Sequence, residues 1–274
     1  MKNIDNKTVD SFGDEWTRFD QSNMTPEEVK KAFEEYFLIF PWSNLPNQSE
    51  GFDMGCGSGR WANYVAPKVG KLNCVDPSSA IEIAKNQLKE HDNITYYKSS
   101  LDSVNIPNES QDFGYSLGVL HHVPDTGDAI KSCVELLKPG APFLVYLYYS
   151  FDGRPLWFKM LWKISDLFRR IIFRLNPSLK NLITDIIAII IYFPLARTSL
   201  LLGKLGIPIK NFPLSFYKDH SFYTMRTDSR DRFGTPLEQR YSKDEIQNMM
   251  HEAGLQKIVF SDQAPFWCAV GIKE

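Results

Sequence analysis

The chain has 274 residues with a hydrophobic fraction of 43%, enough for one large domain or a domain carrying an insertion. A formal charge of −2 supplies no global field to draw the chain to nucleic acid. Cys56, Cys74, Cys133 and Cys268 are too scattered for a CxxC pair or a metal-ligand spacing, so they read as reduced thiols of a cytoplasmic protein without a metal or a disulfide framework.

Residues 1–24 are polar with Phe12, Trp16 and Phe19 among them, and read as a loose leader or as a lid over a ligand; the opening Met1–Lys7 lacks the apolar run of a signal peptide. Thr25, Pro26 and Glu28 have the spacing of a capping box that opens a helix, along which Val29, Ala32, Phe33, Tyr36 and Phe37 recur at helical steps. Strands and helices then alternate. Strands are predicted at 51–54, 71–76, 94–98, 112–117 and 142–149, and helices at 60–67, 77–91 and 126–137. This alternation calls for a parallel sheet covered by helices on both faces.

The alternation stops at 151. Residues 151–222 read as helices, at 156–173 and 179–205, without a clear strand. The run Ile186–Phe193 is strongly apolar, but Asp185, Pro194 and Arg197 interrupt it short of the roughly 20 residues a membrane span needs. It reads as a buried helix of an inserted cap, with a peripheral membrane contact through 182–205 or a homodimer contact as the alternatives. Residues 151–240 hold 15 Lys or Arg against 7 Asp or Glu, a basic segment in an otherwise acidic chain. A capping box at Ser242–Glu245 opens a last helix, stopped by Gly254, before strands at 255–260 and 266–272 that can pair antiparallel at the sheet edge.

Chemistry is concentrated where the first strand runs into Gly55, Gly57 and Gly59. A glycine turn between strand and helix lets a nucleotide-like ligand approach backbone N–H groups. A dinucleotide turn would read GxGxxG, but Arg60 stands where its third glycine belongs, and Asp53 precedes the turn. That acid is ill suited to a pyrophosphate and well suited to a cationic ligand carrying an ammonium and a sulfonium. Asp76 ends the second strand, where a carboxylate accepts from both ribose hydroxyls; it also suits a helix N-cap beside Pro77. Asp102 can accept an adenine amino group, and His122 lies in the loop after the fourth strand as a site residue or a packing residue.

With Asp53–Arg60, Asp76-Pro77-Ser78, Leu101-Asp102, Phe113–Leu117, Leu120–Asp125 and Leu137–Gly140 in this order, residues 51–149 resemble the class I S-adenosylmethionine (SAM)-dependent methyltransferases that carry a methyltransferase type-11-like domain. The resemblance implies an α/β fold: a Rossmann-like seven-stranded sheet of order 3-2-1-4-5-7-6 with strand 7 antiparallel, here with a helical cap inserted after strand 5. It implies SAM as cofactor and S-adenosylhomocysteine as product, held by Asp53, Gly55, Cys56, Gly57, Arg60, Asp76, Pro77, Ser78, Leu101, Asp102, Leu117, Gly118 and His122. The segment Phe12–Phe19 is similar to the leader of relatives acting on sugars and other small metabolites, where it helps close the cofactor pocket. Ala141 departs from the usual second glycine after Pro-Gly.

Three parts are expected: a lid and cofactor core at 1–150, an acceptor-binding cap at 151–240, and a helix with a strand pair at 241–274. The acceptor is expected to be a small molecule, a hydroxyl or carboxylate of an anionic metabolite or sugar. Tyr146, Tyr148, Tyr223, Arg226, Arg230 and Arg232 are candidate lining, and His122 and His220 are candidate bases. The arginines alternatively belong to a solvated loop, paired with Asp228 and Asp231. Other readings are S-methylation of a thiol or other soft nucleophile, a lipid-linked acceptor at the membrane surface, and a SAM-binding partner subunit without turnover. RNA is disfavoured because the basic excess lies in an apolar helical insert without paired stacking aromatics.

Overall fold

The computed structural model describes residues 3–21 and 23–274; Met1, Lys2 and Ser22, part of the expected leader, lie outside the described residues. The elements in chain order are α1 (Asn6–Arg18), α2 (Pro26–Tyr36), β1 (Glu50–Met54), α3 (Ala62–Val65), β2 (Lys71–Val75), α4 (Ala80–Gln87), β3 (Ile94–Tyr97), β4 (Phe113–Leu117), α5 (Thr126–Leu136) and β5 (Pro142–Tyr146). There follow α6 (Leu156–Ile172), α7 (Pro177–Ile187), α8 (Phe193–Lys204), α9 (Phe222–Gly234), α10 (Lys243–Glu252), β6 (Leu255–Phe260) and β7 (Cys268–Lys273). The chain divides into two compact units, one of Met1–Gln21, Val29–Ser150 and Leu237–Glu274, the other of Ser22–Glu28 and Phe151–Pro236.

The first unit is built on a seven-stranded sheet of order β3-β2-β1-β4-β5-β7-β6, as the resemblance implies. β1 through β5 pair in parallel, and β7 runs antiparallel to both β5 and β6. The period-2 alternation of side chains sorts the core onto two faces. Leu72, Cys74, Phe113, Tyr115 and Leu144 join one hydrophobic cluster, while Phe52, Met54, Val75, Phe143 and Val145 join the other. At the sheet centre two glycines make room for two phenylalanines. Gly51 pairs with Phe113 and Gly114 with Phe52. A Cβ on Gly114 would lie 2.2 Å from the Phe52 ring, and one on Gly51 would lie 2.3 Å from the Phe113 ring.

Two expectations for this unit change. Residues 6–18 form a helix, with Asp5 accepting from the Thr8 N–H at its start. The helix beginning at Pro77 starts three residues later, because the Ser78 N–H and hydroxyl both donate to Asp76. At the other end of the unit, the Ser242–Glu245 capping box forms as expected.

The second unit is helical, around Ile172, Tyr192, Ala196, Met225 and Phe233. α7 and α8 are one continuous helix of 28 residues, Pro177–Lys204, matching the helix expected at 179–205; despite Asp185, Pro194 and Arg197, it is long and apolar enough to cross a membrane, which the apolar run was expected not to be. A π-helical turn at Ala188–Tyr192 joins the two, directly before Pro194, which has no N–H to give to the helix ladder. Asp185 is neutralised by a bidentate pair with Arg226 at 3.1 and 3.0 Å. The segment 222–234, expected as a pocket lining or solvated loop, is α9, capped by Ser221. Glu28 does not complete a capping box on its own helix. Thr25 caps Glu28 N–H at 3.2 Å, but the Glu28 carboxylate accepts from Ser221 N–H and the Thr224 hydroxyl at the start of α9.

The reciprocal glycine–phenylalanine pairing gives a test. Gly114→Ala should destabilise by roughly 1–3 kcal/mol through overpacking. Differential scanning fluorimetry should show Phe52→Leu in the same chain recovering part of that loss; independent, additive effects would refute the pairing as the cause.

Candidate functional site

A cleft in the first unit opens at the C-terminal ends of β1, β2 and β4, where ligands bind in open α/β sheets. The register Met54↔Val75 brings the glycine turn after β1 and the acid after β2 to the same edge. The turn is pinned from behind by Gly55 and Cys56 N–H groups donating to the Val75 carbonyl at 2.8 and 3.1 Å. Gly55, with φ +80°, has no room for a side chain, since a Cβ there would lie 2.4 Å from Val119. Gly57, at φ +54°, faces the indole of Trp16, which a Cβ there would meet at 3.1 Å.

Asp76 ties this region together. One carboxylate oxygen accepts from Gly57 N–H at 2.9 Å; the other accepts from Ser78 N–H at 2.8 Å and from the Ser78 hydroxyl at 2.6 Å. Burial raises its pKa, opposed by those bonds. Each carboxylate oxygen carries two lone-pair directions; those of Oδ1 are both taken, and Oδ2 keeps one for a ligand hydroxyl. Asp76 therefore serves both the loop and the cleft.

Asp53 is 1% exposed, and its Oδ2 has no hydrogen-bond partner among the described residues. Burial pushes its pKa up to about 8, reinforced by the negative charge of Asp76 and opposed by Tyr115 and Arg60. A buried carboxyl of this kind is poised for a cation: a positive charge nearby stabilises the ionised form that burial disfavours. The Cys56 and Cys74 thiols lie beside it with pKa values raised, Cys56 by its contact with Cys74 and by burial, Cys74 by burial, so both stay protonated.

The cleft is lined by Gly55, Cys56, Gly57, Arg60, Asp76, Pro77, Ser78, Leu101, Leu117, Gly118 and His122 among the sequence-predicted cofactor residues. Asp53 stands behind the turn rather than on the surface of the cleft. Asp102 is not among the lining residues; its carboxylate accepts from Asn3 N–H, while its neighbours Ser99, Ser100 and Leu101 take the lining position. α1 supplies the lining that residue-by-residue reading did not assign: Thr8, Val9, Phe12 and Trp16. The aromatic spacing from Phe12 to Trp16, one helical turn, was the signal. Gly13 between them lets the helix approach α4, since a Cβ there would lie 2.8 Å from Ser79 Oγ.

His122 closes the far side of the cleft, with the Phe12 ring edge-on at 4.9 Å. Its Nδ1 lies 2.6 Å from the Leu237 carbonyl oxygen. A carbonyl only accepts, so Nδ1 carries the proton and Nε2 of the neutral ring is left as a lone pair. Nε2 has no hydrogen-bond partner among the described residues. The neighbouring His121 is fully buried, and burial, with the nearby charges of His122 and Arg240, holds its pKa well below the usual histidine range. Leu237 belongs to a return segment that braces the loop: Leu237 N–H donates to Thr8, Gln239 N–H to the His121 carbonyl, and the Gln239 amide to the Val123 carbonyl.

The remaining predicted residues are distributed as follows. Tyr146 packs edge-on to Tyr36 at 5.0 Å, and Tyr148 lies 3.9 Å from His121 and under the Arg240 guanidinium. In the second unit, His220 packs 4.6 Å from Phe216, and its carbonyl accepts from Arg197. Tyr223, on α9, accepts from Thr227 through its carbonyl. Arg226 is bound to Asp185. Arg230 is fully buried, donates to Asn181 and occupies the space that Gly234 leaves open. Arg232 lies 3.8 Å from Asp166 and donates to Ser165. Burial raises the Asp166 carboxyl, but Arg169, Arg170 and Arg232 outweigh it and hold the pKa below the usual value. These guanidinium groups have protein acids and amides as partners inside the insertion.

Comparison with known proteins agrees with this geometry. Residues 52–145 match the model of a methyltransferase domain. The chain is similar to the ubiquinone biosynthesis O-methyltransferase of Coxiella burnetii, 32% identical over 107 residues. That stretch is 35% of this chain and 46% of the relative, so the match spans about half of the relative's length. Among solved structures it is similar in fold to a Haloferax volcanii protein in complex with the Trm112 methyltransferase activator, with a TM-score of 0.52, 12% identity and coverage of 95% of this chain and 96% of that one. It is likewise similar to Haemonchus contortus phosphoethanolamine N-methyltransferase 2 (TM-score 0.51, 16% identity, 93% of this chain and 46% of that one), solved with S-adenosylhomocysteine.

The Asp53 carboxyl predicts a pH dependence. Its folded pKa is above the unfolded value, so between about pH 4 and 8 the native state holds a proton the unfolded state has lost. The burial penalty is absent below pH 4 and grows as pH rises to 8. Thermal melts of the ligand-free protein should show Asp53→Asn gaining on wild type as pH goes from 5 to 8; a constant difference would exclude the proton from this site.

Proposed function

We propose that the chain, whose residues 52–145 match the model of a methyltransferase domain, transfers the methyl group of SAM to a hydroxyl of a small-molecule acceptor. The observation that carries this reading is the pairing, in one cleft, of a cofactor turn built for a cationic nucleoside with a histidine whose unpartnered nitrogen is a base. The orphaned Asp53 oxygen and the residual acceptor capacity of Asp76 fit the cationic and ribose ends of SAM. When bound, SAM supplies a methyl group on a cationic sulfur.

The protein's part is alignment, water exclusion and proton removal. Gly55 and Gly57 would let the ligand approach backbone, and the open position on Asp76 Oδ2 would accept from a ribose hydroxyl. Phe12, Val9 and Trp16 of α1 cover the cleft with apolar surface and keep water from it. His122 Nε2 removes the acceptor proton, and the Leu237 carbonyl stabilises the imidazolium that results by accepting from Nδ1–H. A hydroxyl needs such a base, whereas a thiol or amine acceptor that ionises by itself does not. The similarity to an O-methyltransferase supports the oxygen acceptor. An anionic acceptor rested on Arg226, Arg230 and Arg232, and their partners within the insertion remove that support.

Calorimetry with S-adenosylhomocysteine, with transfer of radiolabelled methyl from SAM to a panel of phenols, sugars and thiols, tests the proposal. Asp76→Ala should weaken cofactor binding at least about tenfold by loss of charge-assisted bonds. His122→Asn should lower kcat by about 10²-fold or more while moving the cofactor Kd far less. Transfer confined to thiols, with kcat unaffected by His122→Asn, would overturn the hydroxyl assignment; failure to bind either form of the cofactor would overturn the function.

A further inference from the structure

We infer that the second unit docks flat on an anionic lipid bilayer through the exposed faces of α6 and of the continuous α7–α8 helix. On α6, Trp157, Met160, Leu161, Ile164, Phe168 and Ile171 are exposed, Met160 at 63% and Phe168 at 56%. At 3.6 residues per turn they fall within an arc of roughly 100°. Asp166 and Arg169 are buried on the other side, and Ile172 is buried at the edge of the arc. The exposed apolar stripe is therefore a face of a folded helix whose packing needs are already met elsewhere.

The charge pattern identifies the occupant. Lys163 and Arg170 are exposed and lie along one border of the apolar arc, with Lys159 on the same edge and Arg174 a turn further on. From Leu156 to Lys210 the sequence has two acids, Asp166 and Asp185. Each is in an ion pair with arginine, Asp166 with Arg169 and Arg170, Asp185 with Arg226. An apolar face with a basic border and no unneutralised acid is complementary to anionic headgroups above acyl chains. The exposed Trp157 suits the headgroup level. A second copy of the chain is a poorer occupant, because an antiparallel twofold contact of α6 would set the same basic border against itself.

The 28-residue helix Pro177–Lys204 has the length and composition to cross a membrane, with a mean hydropathy of 1.9 and 22% burial in its most apolar window. Its other side fixes its orientation along the surface. Thr184, Ala188, Tyr192, Ala196 and Ser199 are buried, and the Ser229 hydroxyl of α9 donates to the Thr184 carbonyl at 2.8 Å. The Asp185–Arg226 pair lies on the same helix, and hydrocarbon would penalise its charges on crossing. Leu182, Ile186, Ile189, Ile190, Phe193 and Leu201 are exposed. They add a second apolar strip to the same unit.

Flotation of the full chain with vesicles of phosphatidylcholine alone, and of phosphatidylcholine mixed with phosphatidylglycerol, tests this. The chain should float with the anionic vesicles and not the neutral ones, and salt should release it. Lys163→Gln with Arg170→Gln should weaken the partition by about fivefold per charge. Ile164→Ser with Phe168→Ser should abolish flotation while leaving S-adenosylhomocysteine binding in the first unit intact, which separates a lost surface from a lost fold and is independent of the proposed methyl transfer. No flotation with either vesicle, equal flotation with both, or indifference to these four substitutions would overturn the inference. So would light scattering that shows a dimer which the serine pair dissolves.

Discussion

The hydrogen bond from Gly57 N–H to the Asp76 carboxylate is the constraint on which the cleft depends. It joins the turn after β1 to the end of β2, and it exists because parallel pairing puts those two strand ends side by side. The same carboxylate arrests α4 by holding Ser78, so the helix begins at Ala80 and leaves Pro77 and Ser78 to line the cleft. Without this acid the turn would lose its fixed conformation, the loop its bend and the cleft a hydroxyl acceptor. One buried carboxylate thus sets local backbone, cleft shape and ligand chemistry together.

The sheet and the cofactor turn were legible in the sequence because their signals are local and periodic. Apolar strands alternate with helices up to residue 149, and Asp53, the three glycines, Arg60 and Asp76 keep spacings that the strand register requires. α1 and α9 were not legible, for a shared reason. The buried residues of α1 are Thr8, Ser11, Gly13 and Glu15, and those of α9 include Thr227, Ser229, Arg230 and Gly234. A helix that buries polar residues against polar partners has no apolar stripe, so a reading based on hydrophobic period passes over it. α6 is the converse case. Its stripe is strong and was assigned a helix correctly, yet the stripe faces outward.

The arginines of α9 show why residue type alone misleads. Three guanidinium groups in seven residues suggest an anion clamp, but side chains on a helix diverge. Arg226 reaches Asp185, Arg230 turns inward to Asn181, and Arg232 reaches Asp166 and Ser165. Sequence holds no local trace of these partners, which come from 41 to 67 residues away. The basic excess of the insertion is consequently of two kinds. One part is internal mortar, and the other, on α6, faces outward.

The return segment at Leu237–Tyr241 has a consequence for how such a chain can diverge. The chain leaves the sheet unit at Ser150 and re-enters at Leu237, and the two ends meet there: Tyr149 bridges Tyr241, and Ser150 N–H donates to the Tyr241 carbonyl. Such a neck makes the intervening residues an exchangeable cassette, replaceable in evolution or by engineering without opening the sheet. Yet the carbonyl that sets the His122 tautomer belongs to the first residue after the cassette. Grafting a new recognition module therefore retunes proton transfer as well, and inheritance of the neck, more than of the module, decides whether the graft turns over.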